Sequence, residues 1–164
     1  MSEKLEVTLG RMLSAAGLKI ALAESCTGGL ITSRLTDVPG SSGYVEGGVV
    51  AYSYEAKERL LGVSHDTLLT SGAVSAETAL EMARGVRHAL QADLGVGVTG
   101  IAGPGGGMLG KPVGLVYMAL SAVDWERCER HVWESDRVGN KSLSADAALR
   151  LIRIYLEWRA PCDE

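Results

Sequence analysis

Phenylalanine is absent from the chain, and aromatic residues make up only 5% of its 164 residues. Its core must therefore be built mainly from aliphatic and small side chains. No apolar run reaches the roughly 18 residues a membrane-spanning helix needs, and no secretory leader pattern opens the chain. A cytoplasmic protein is expected. The three cysteines, Cys26, Cys128 and Cys162, are odd in number and share no metal-ligand spacing, which argues against a disulfide framework or a zinc site. Strong positive charge is lacking too. The formal net charge is −4, which offers no electrostatic footprint for duplex nucleic acid or an anionic membrane. Histidine is scarce: His65, His88 and His131 fall in a loop, on a helix and in an outer strand, none beside a strand-end motif. A Ser–His–Asp triad is therefore not expected.

Glycine is abundant, with 21 residues. The glycines cluster at a few sites, as expected where backbones approach one another closely. With no repeat, linker or low-complexity tract, one domain is expected over residues 1–164. Leu5, Leu9, Met12, Leu13 and Ala16 recur at helical spacing, and Gly17 is placed to end that helix. "KIALAES" predicts a buried strand, "TGGLITSRL" the start of a helix, and "GGVVAYS" a second strand followed by the helix "YEAKERLLG". Ser75 is placed to cap a helix running to about Leu90. "LGVGVTGIAG" predicts a third strand entering a glycine-rich loop. "VGLVYMALSAV" and "RCERHVWES" suggest a hairpin turning near Asp124 and Trp125. The last helix should direct Ala145, Ala148, Leu149, Ile152 and Leu156 inward. This alternation predicts an α/β protein, a three-layer α/β/α sandwich with a mixed, mostly parallel sheet. "ESCTGG", "YSYEAK" and "TGIAGPGGG" all follow predicted strands and should converge on the rim where ligands bind in such sheets.

Three groups of residues on that rim carry chemical meaning. A strand ending at Ser25 and turning at Thr27, Gly28 and Gly29 would present backbone N–H groups to an anion or a developing oxyanion. Ser25 or Cys26 at that turn is a candidate nucleophile. Equally, Ser25 or Thr27 would serve as a helix cap, with Cys26 as a small core residue. Lys57, one turn into the following helix, is a candidate base if burial depresses its pKa, or a solvated lysine paired with Glu55 or Glu58. Tyr52 could orient Lys57 through its hydroxyl or pack at the core edge. Two glycine motifs fail on context. Gly95, Gly97 and Gly100 spell GxGxxG inside a strand rather than after one. Gly105 to Lys111 spells GxxxxGK, but Pro112 stands where a Ser or Thr is required. Asn140-Lys141-Ser142 is a glycosylation sequon in spelling only. Arg137 and Lys141 are placed to hold a phosphate or to solvate a helix end.

"AESCTGGLI", "LTDVPGSSGYVEGGVVAYSYEAK", "LLGV", "GAVSAETA", "VTGIAGPGGG" and "KPVGLVYMAL" together resemble the C-terminal domain of CinA, which also occurs as stand-alone nicotinamide-nucleotide amidohydrolases (PncC). The resemblance runs from about Lys19 to Arg137, and the flanking helices fit it. It implies a single such domain, without the N-terminal domain of full-length CinA. It also implies hydrolysis of the carboxamide of nicotinamide mononucleotide to nicotinate mononucleotide and ammonia, in pyridine-nucleotide salvage, with no metal or other cofactor. Ser25 matches the motif serine, the implied nucleophile, and Lys57 the implied base. Tyr52 and Thr99 match motif residues that could assist proton transfer. Thr27, Gly28 and Gly29 would hold the oxyanion. Gly103, Gly105 and Gly106 would face the nucleotide, and Arg137 and Lys141 its phosphate. The chain departs from the family at three places: Tyr54 replaces the usual Asn, "GGMLGKP" replaces a more polar loop, and Lys141 replaces an arginine. The partner expected is a small nucleotide substrate, with the protein a homo-oligomer that binds neither nucleic acid nor membrane. Two rival functions remain at this level: a non-enzymatic nucleotide- or protein-binding module linked to competence or DNA damage, and a thiol amidase using Cys26.

Overall fold

The computed structural model describes residues 3–160; Cys162 lies outside them. Five strands form one sheet in the order β2-β1-β3-β4-β5. β1 (Ile20–Glu24) pairs in parallel with β2 (Val45–Val50) on one side and β3 (Leu94–Gly100) on the other. β4 (Leu115–Ser121) runs antiparallel to both β3 and β5 (Glu126–Val132). Helices α1 (Leu5–Ala16), α2 (Leu30–Thr36) and α6 (Arg137–Arg159) cover one face. On the other lie α3 (Tyr54–Leu61), α4 (His65–Thr70) and α5 (Ala76–Ala89). This is the expected three-layer sandwich, with β4 alone opposing the direction of its neighbours.

The two faces differ in side-chain size because strand residues alternate. Ile20 and Leu22 of β1 join Val96 and Val98 of β3 in the large cluster beneath α1, α2 and α6. Ala21 and Ala23 face Leu61, Met82 and Val86. On that side α5 lies so close that a Cβ added at Gly95 or Gly97 would strike the carbonyls of Ala83 and Ala79. The many small residues thus serve a close helix–sheet contact.

The strand order also positions the site. The chain leaves β1 for β2 on one flank, then crosses back to β3 on the other, so the crevice at the carboxyl ends of β1 and β3 is a topological switch point. Ser25 N–H donates to Val98 O (3.0 Å) and marks that crevice.

Local signals are borne out in most places. Gly17 ends α1 in the left-handed region, and the Ser75 side chain accepts from Thr78 N at the start of α5. Two differ. α2 begins at Leu30 rather than at Thr27, because Gly28 (φ 64) and Gly29 (φ 98) lie in the left-handed region and form a turn. His65 opens the short helix α4 instead of lying in a loop. No described helix is long and apolar enough to cross a membrane.

Candidate active site

Ser25 stands one residue beyond β1, with its backbone held on both sides. Its N–H donates to Val98 O, and its carbonyl accepts from Gly28 N–H (3.1 Å). Alternation places Ser25 on the α3 and α5 side of the sheet. There α3 starts after Ser53, whose side chain caps it by accepting from Ala56 N (3.1 Å). One turn later, Lys57 reaches back to the sheet. Its Nζ lies 3.0 Å from Ser25 Oγ, 2.9 Å from Ala51 O and 3.4 Å from Tyr52 O.

Lys57 is only 1% exposed. Burial pushes its pKa below the ordinary lysine value, because the ammonium loses hydration. None of its three hydrogen-bond partners is a carboxylate, and Glu58, a partner considered from sequence, instead bonds His65 (2.7 Å). The partner set also suits the neutral amine. An –NH₂ group has two hydrogens and one lone pair; two carbonyls take the hydrogens, leaving the lone pair for the Ser25 hydroxyl. The 3.0 Å separation lies within the distance that proton transfer between the two groups requires.

Glu24 directs its side chain to the opposite face. It is 1% exposed and was not singled out from sequence. Its Oε2 accepts from Thr27 Oγ (2.6 Å), Gly29 N–H (3.1 Å) and Ile31 N–H (3.1 Å). Its Oε1 accepts from Thr32 N–H and Thr32 Oγ, both at 2.8 Å. Glu24 therefore caps α2, a role expected of Ser25 or Thr27. This corrects the oxyanion assignment at two positions. Gly29 N–H is committed to Glu24 and Gly28 N–H to Ser25 O, so neither is free for substrate. These glycines supply the left-handed turn instead.

Tyr52 also needs correction. The Tyr52 hydroxyl does not orient Lys57; it accepts from Arg137 Nη2 (3.0 Å), and only the Tyr52 carbonyl meets Lys57. Its side chain is 60% exposed, so it is not a core edge either. Thr99 is buried and donates its hydroxyl proton to Ala73 O (2.7 Å), joining β3 to the loop before α5. Tyr54, one of the departures from the family pattern, meets the same loop by accepting from Ala73 N–H (3.3 Å).

Arg137 and Lys141, one turn apart on α6, both face this rim. Arg137 Nη1 donates to Gly103 O (2.7 Å) while Nη2 reaches Tyr52. Lys141 Nζ lies over the turn after Ser25, 3.5 Å from where a Cβ on Gly28 would stand. Buried Asn140 donates to Ala102 O (3.0 Å) and accepts from Ser135 N–H (3.1 Å), fastening the glycine-rich loop to α6. Its value was hidden behind the sequon spelling. Gly103 is held tightly, since an added Cβ would meet Val113. Gly105 and Gly106 are exposed, and Gly105 faces open space. Lys111, the lysine of the rejected phosphate-loop spelling, is spent on Ser71 O (2.6 Å). A cavity of about 310 Å³ beside Arg137 is lined by Ala102, Pro104, Val113 and residues 135–138.

Cys26 turns away into the large core cluster, and burial pushes its thiol up to about 12. A thiol packed in the core and kept protonated by burial speaks against the thiol amidase rival.

The CinA C-terminal domain family model matches residues 2–156. A Halothermothrix orenii protein described as competence-damage inducible is 52% identical over 92% of this chain and 37% of its own length. A CinA-like protein of Syntrophotalea carbinolica is 49% identical over 94% of this chain and 37% of its own. The chain thus spans somewhat more than a third of these curated relatives. Among solved structures, the competence/damage inducible protein CihA of Agrobacterium tumefaciens superposes with a TM-score of 0.84 at 41% identity, covering 96% of this chain and 99% of that one. A CinA superfamily protein from Klebsiella pneumoniae gives 0.90 at 31% identity, covering 93% and 96%.

Proposed function

We propose, from the premise that this chain belongs to the CinA C-terminal domain family, that it is a serine amidohydrolase acting on the carboxamide of nicotinamide mononucleotide. The observation that carries this reading is the 3.0 Å contact between Ser25 Oγ and a buried Lys57 whose other partners are two carbonyls. Neutral Lys57 takes the Ser25 proton as Oγ attacks the carboxamide carbon. The resulting lysine ammonium gives that proton to the departing nitrogen, and ammonia leaves an acyl ester on Ser25. Lys57, neutral again, then removes a proton from water as it attacks the ester carbon, and returns that proton to Ser25 Oγ as the C–Oγ bond breaks and nicotinate mononucleotide leaves. Arg137 retains N–H groups beyond its bonds to Gly103 and Tyr52, and with the Lys141 ammonium it supplies positive charge for the 5′-phosphate. The exposed stretch at Gly105 and Gly106 lies against the nucleotide.

The names of the relatives speak of competence and damage, in keeping with a binding module that does no chemistry. Such a module gains nothing from burying a lysine without a counter-charge. Ammonia release from nicotinamide mononucleotide, measured for wild type beside Ser25→Ala, separates the two. Release by the wild type alone supports the amidase, and release by neither protein contradicts it.

A further inference from the structure

Most polar hydrogens of the turn after Ser25 are already committed, and two are not. Glu24 holds the N–H groups of Gly29, Ile31 and Thr32 and the hydroxyls of Thr27 and Thr32. Gly28 N–H is held by Ser25 O. The N–H groups of Cys26 and Thr27, the two residues directly after Ser25, find no oxygen acceptor among the described residues; that of Cys26 meets only its own thiol sulfur. Both residues are buried, Cys26 at 5% exposure and Thr27 at 1%. Buried N–H groups without a protein acceptor are rare in folded proteins, and these two remain available as donors beside Ser25.

We propose that Glu24 is a positioning residue that fixes this turn so that the N–H groups of Cys26 and Thr27 form the oxyanion hole. The proposal rests on the serine-hydrolase reading of Ser25. As the Oγ–carbon bond forms, the carbonyl π pair moves onto oxygen, and that oxygen needs donors set in place beforehand. The start of α2 cannot supply them, because the Glu24 carboxylate has already satisfied it. The same carboxylate binds the turn at Thr27 and Gly29, on either side of Gly28, so the turn has little freedom to rotate. Thr32 beneath it is fixed as well: a Cβ on Gly48 would strike its side chain. Glu24 touches no reacting atom and acts only through the backbone it holds.

A fluorophosphonate that phosphonylates Ser25 places a phosphoryl oxygen where the oxyanion would form. In ¹H–¹⁵N spectra of the full chain, labelling should move the Cys26 and Thr27 amide protons downfield. The amides of Gly28, Gly29, Ile31 and Thr32 should stay in place. Shifts at these four with none at Cys26 and Thr27 overturn the proposal, as does failure of Ser25 to label. In a second arm, Glu24→Gln should lower both kcat for ammonia release and the labelling rate about 10²-fold, with KM changed less than about threefold. Rates that return to wild type once corrected for the folded fraction, measured by thermal unfolding, would make Glu24 merely structural and overturn its role. If labelling produces the expected shifts but the wild type releases no ammonia, the amidase reading fails and the oxyanion assignment stands. If ammonia is released and the shifts fall on Gly28 and Gly29, the reverse holds.

Discussion

Glu24 and Lys57 are two buried ionisable residues on opposite faces of the same strand end, and the protein treats them in opposite ways. Every acceptor position of Glu24 is used, by three backbone N–H groups and two hydroxyls at the start of α2. Lys57 receives no such compensation: two carbonyls and the Ser25 hydroxyl surround it, and burial lowers its pKa. A buried charge that is fully bonded holds structure together. A buried amine denied a counter-charge gives up its proton readily, and that is what a base for serine requires. Ser25 lies between the two, held through its backbone by Val98 O and Gly28 N–H and in contact through its side chain with Lys57.

Removing the link between the two sides should have the largest effect. Ser25→Ala leaves the Glu24 network whole, so the protein should stay folded, with an unfolding midpoint near that of wild type. Turnover should fall by at least about 10³-fold, as on loss of an acyl-transfer nucleophile. Circular dichroism and ammonia release on the same sample check both halves of this expectation.

A smaller effect is expected at the rim, beyond both carboxylate and amine. Arg137→Ala should raise KM for the mononucleotide about tenfold, and change it little for the nucleoside that lacks the phosphate. Equal changes for both substrates would take Arg137 out of the phosphate contact and leave it as the link between Gly103 and Tyr52.

The smallest effect sharpens the contrast as a stability difference. The native pKa of Lys57 lies below its unfolded value of 10.5. The unfolded chain therefore binds a proton that the native state resists, and stability falls as pH drops from 10.5 through the native pKa. Lys57→Met lacks this linkage. Its stability relative to wild type should be greatest at neutral pH and should decline as pH rises toward 10.5. Urea unfolding of both proteins at neutral pH and near pH 10 measures this, and a difference independent of pH would mean the lysine titrates normally.

Much of this arrangement was legible in the sequence where the signal was local. The apolar run before Ser25, the stop at Gly17, the cap at Ser75 and the turn at Asp124 and Trp125 all depend on neighbours in the chain. The inward set Ala145, Ala148, Leu149, Ile152 and Leu156 follows from helical spacing, and all five are buried. Ser25 and Lys57 were legible as candidates because each follows a strand end, and the strand order brings those ends together. Glu24 was not, because its carboxylate reaches five to eight residues forward to Gly29 and Thr32, beyond the span of any capping pattern. The hydroxyl partner of Tyr52, Arg137, lies 85 residues away and leaves no local signal. The bonds of Asn140 to Ala102 and Ser135 belong to the folded loop and have no signature of their own.

The central claim is that Lys57 acts as a neutral base, and it is tested most directly by the pH dependence of ammonia release from nicotinamide mononucleotide by wild type and Lys57→Arg. For wild type, kcat/KM should rise with pH along a limb whose midpoint lies below the ordinary lysine value of 10.5, as the neutral amine fraction grows. Lys57→Arg keeps the positive charge but cannot deprotonate in this range, so it should be nearly inactive at every pH. Substantial activity in Lys57→Arg, or a wild-type profile without that limb, would contradict the account.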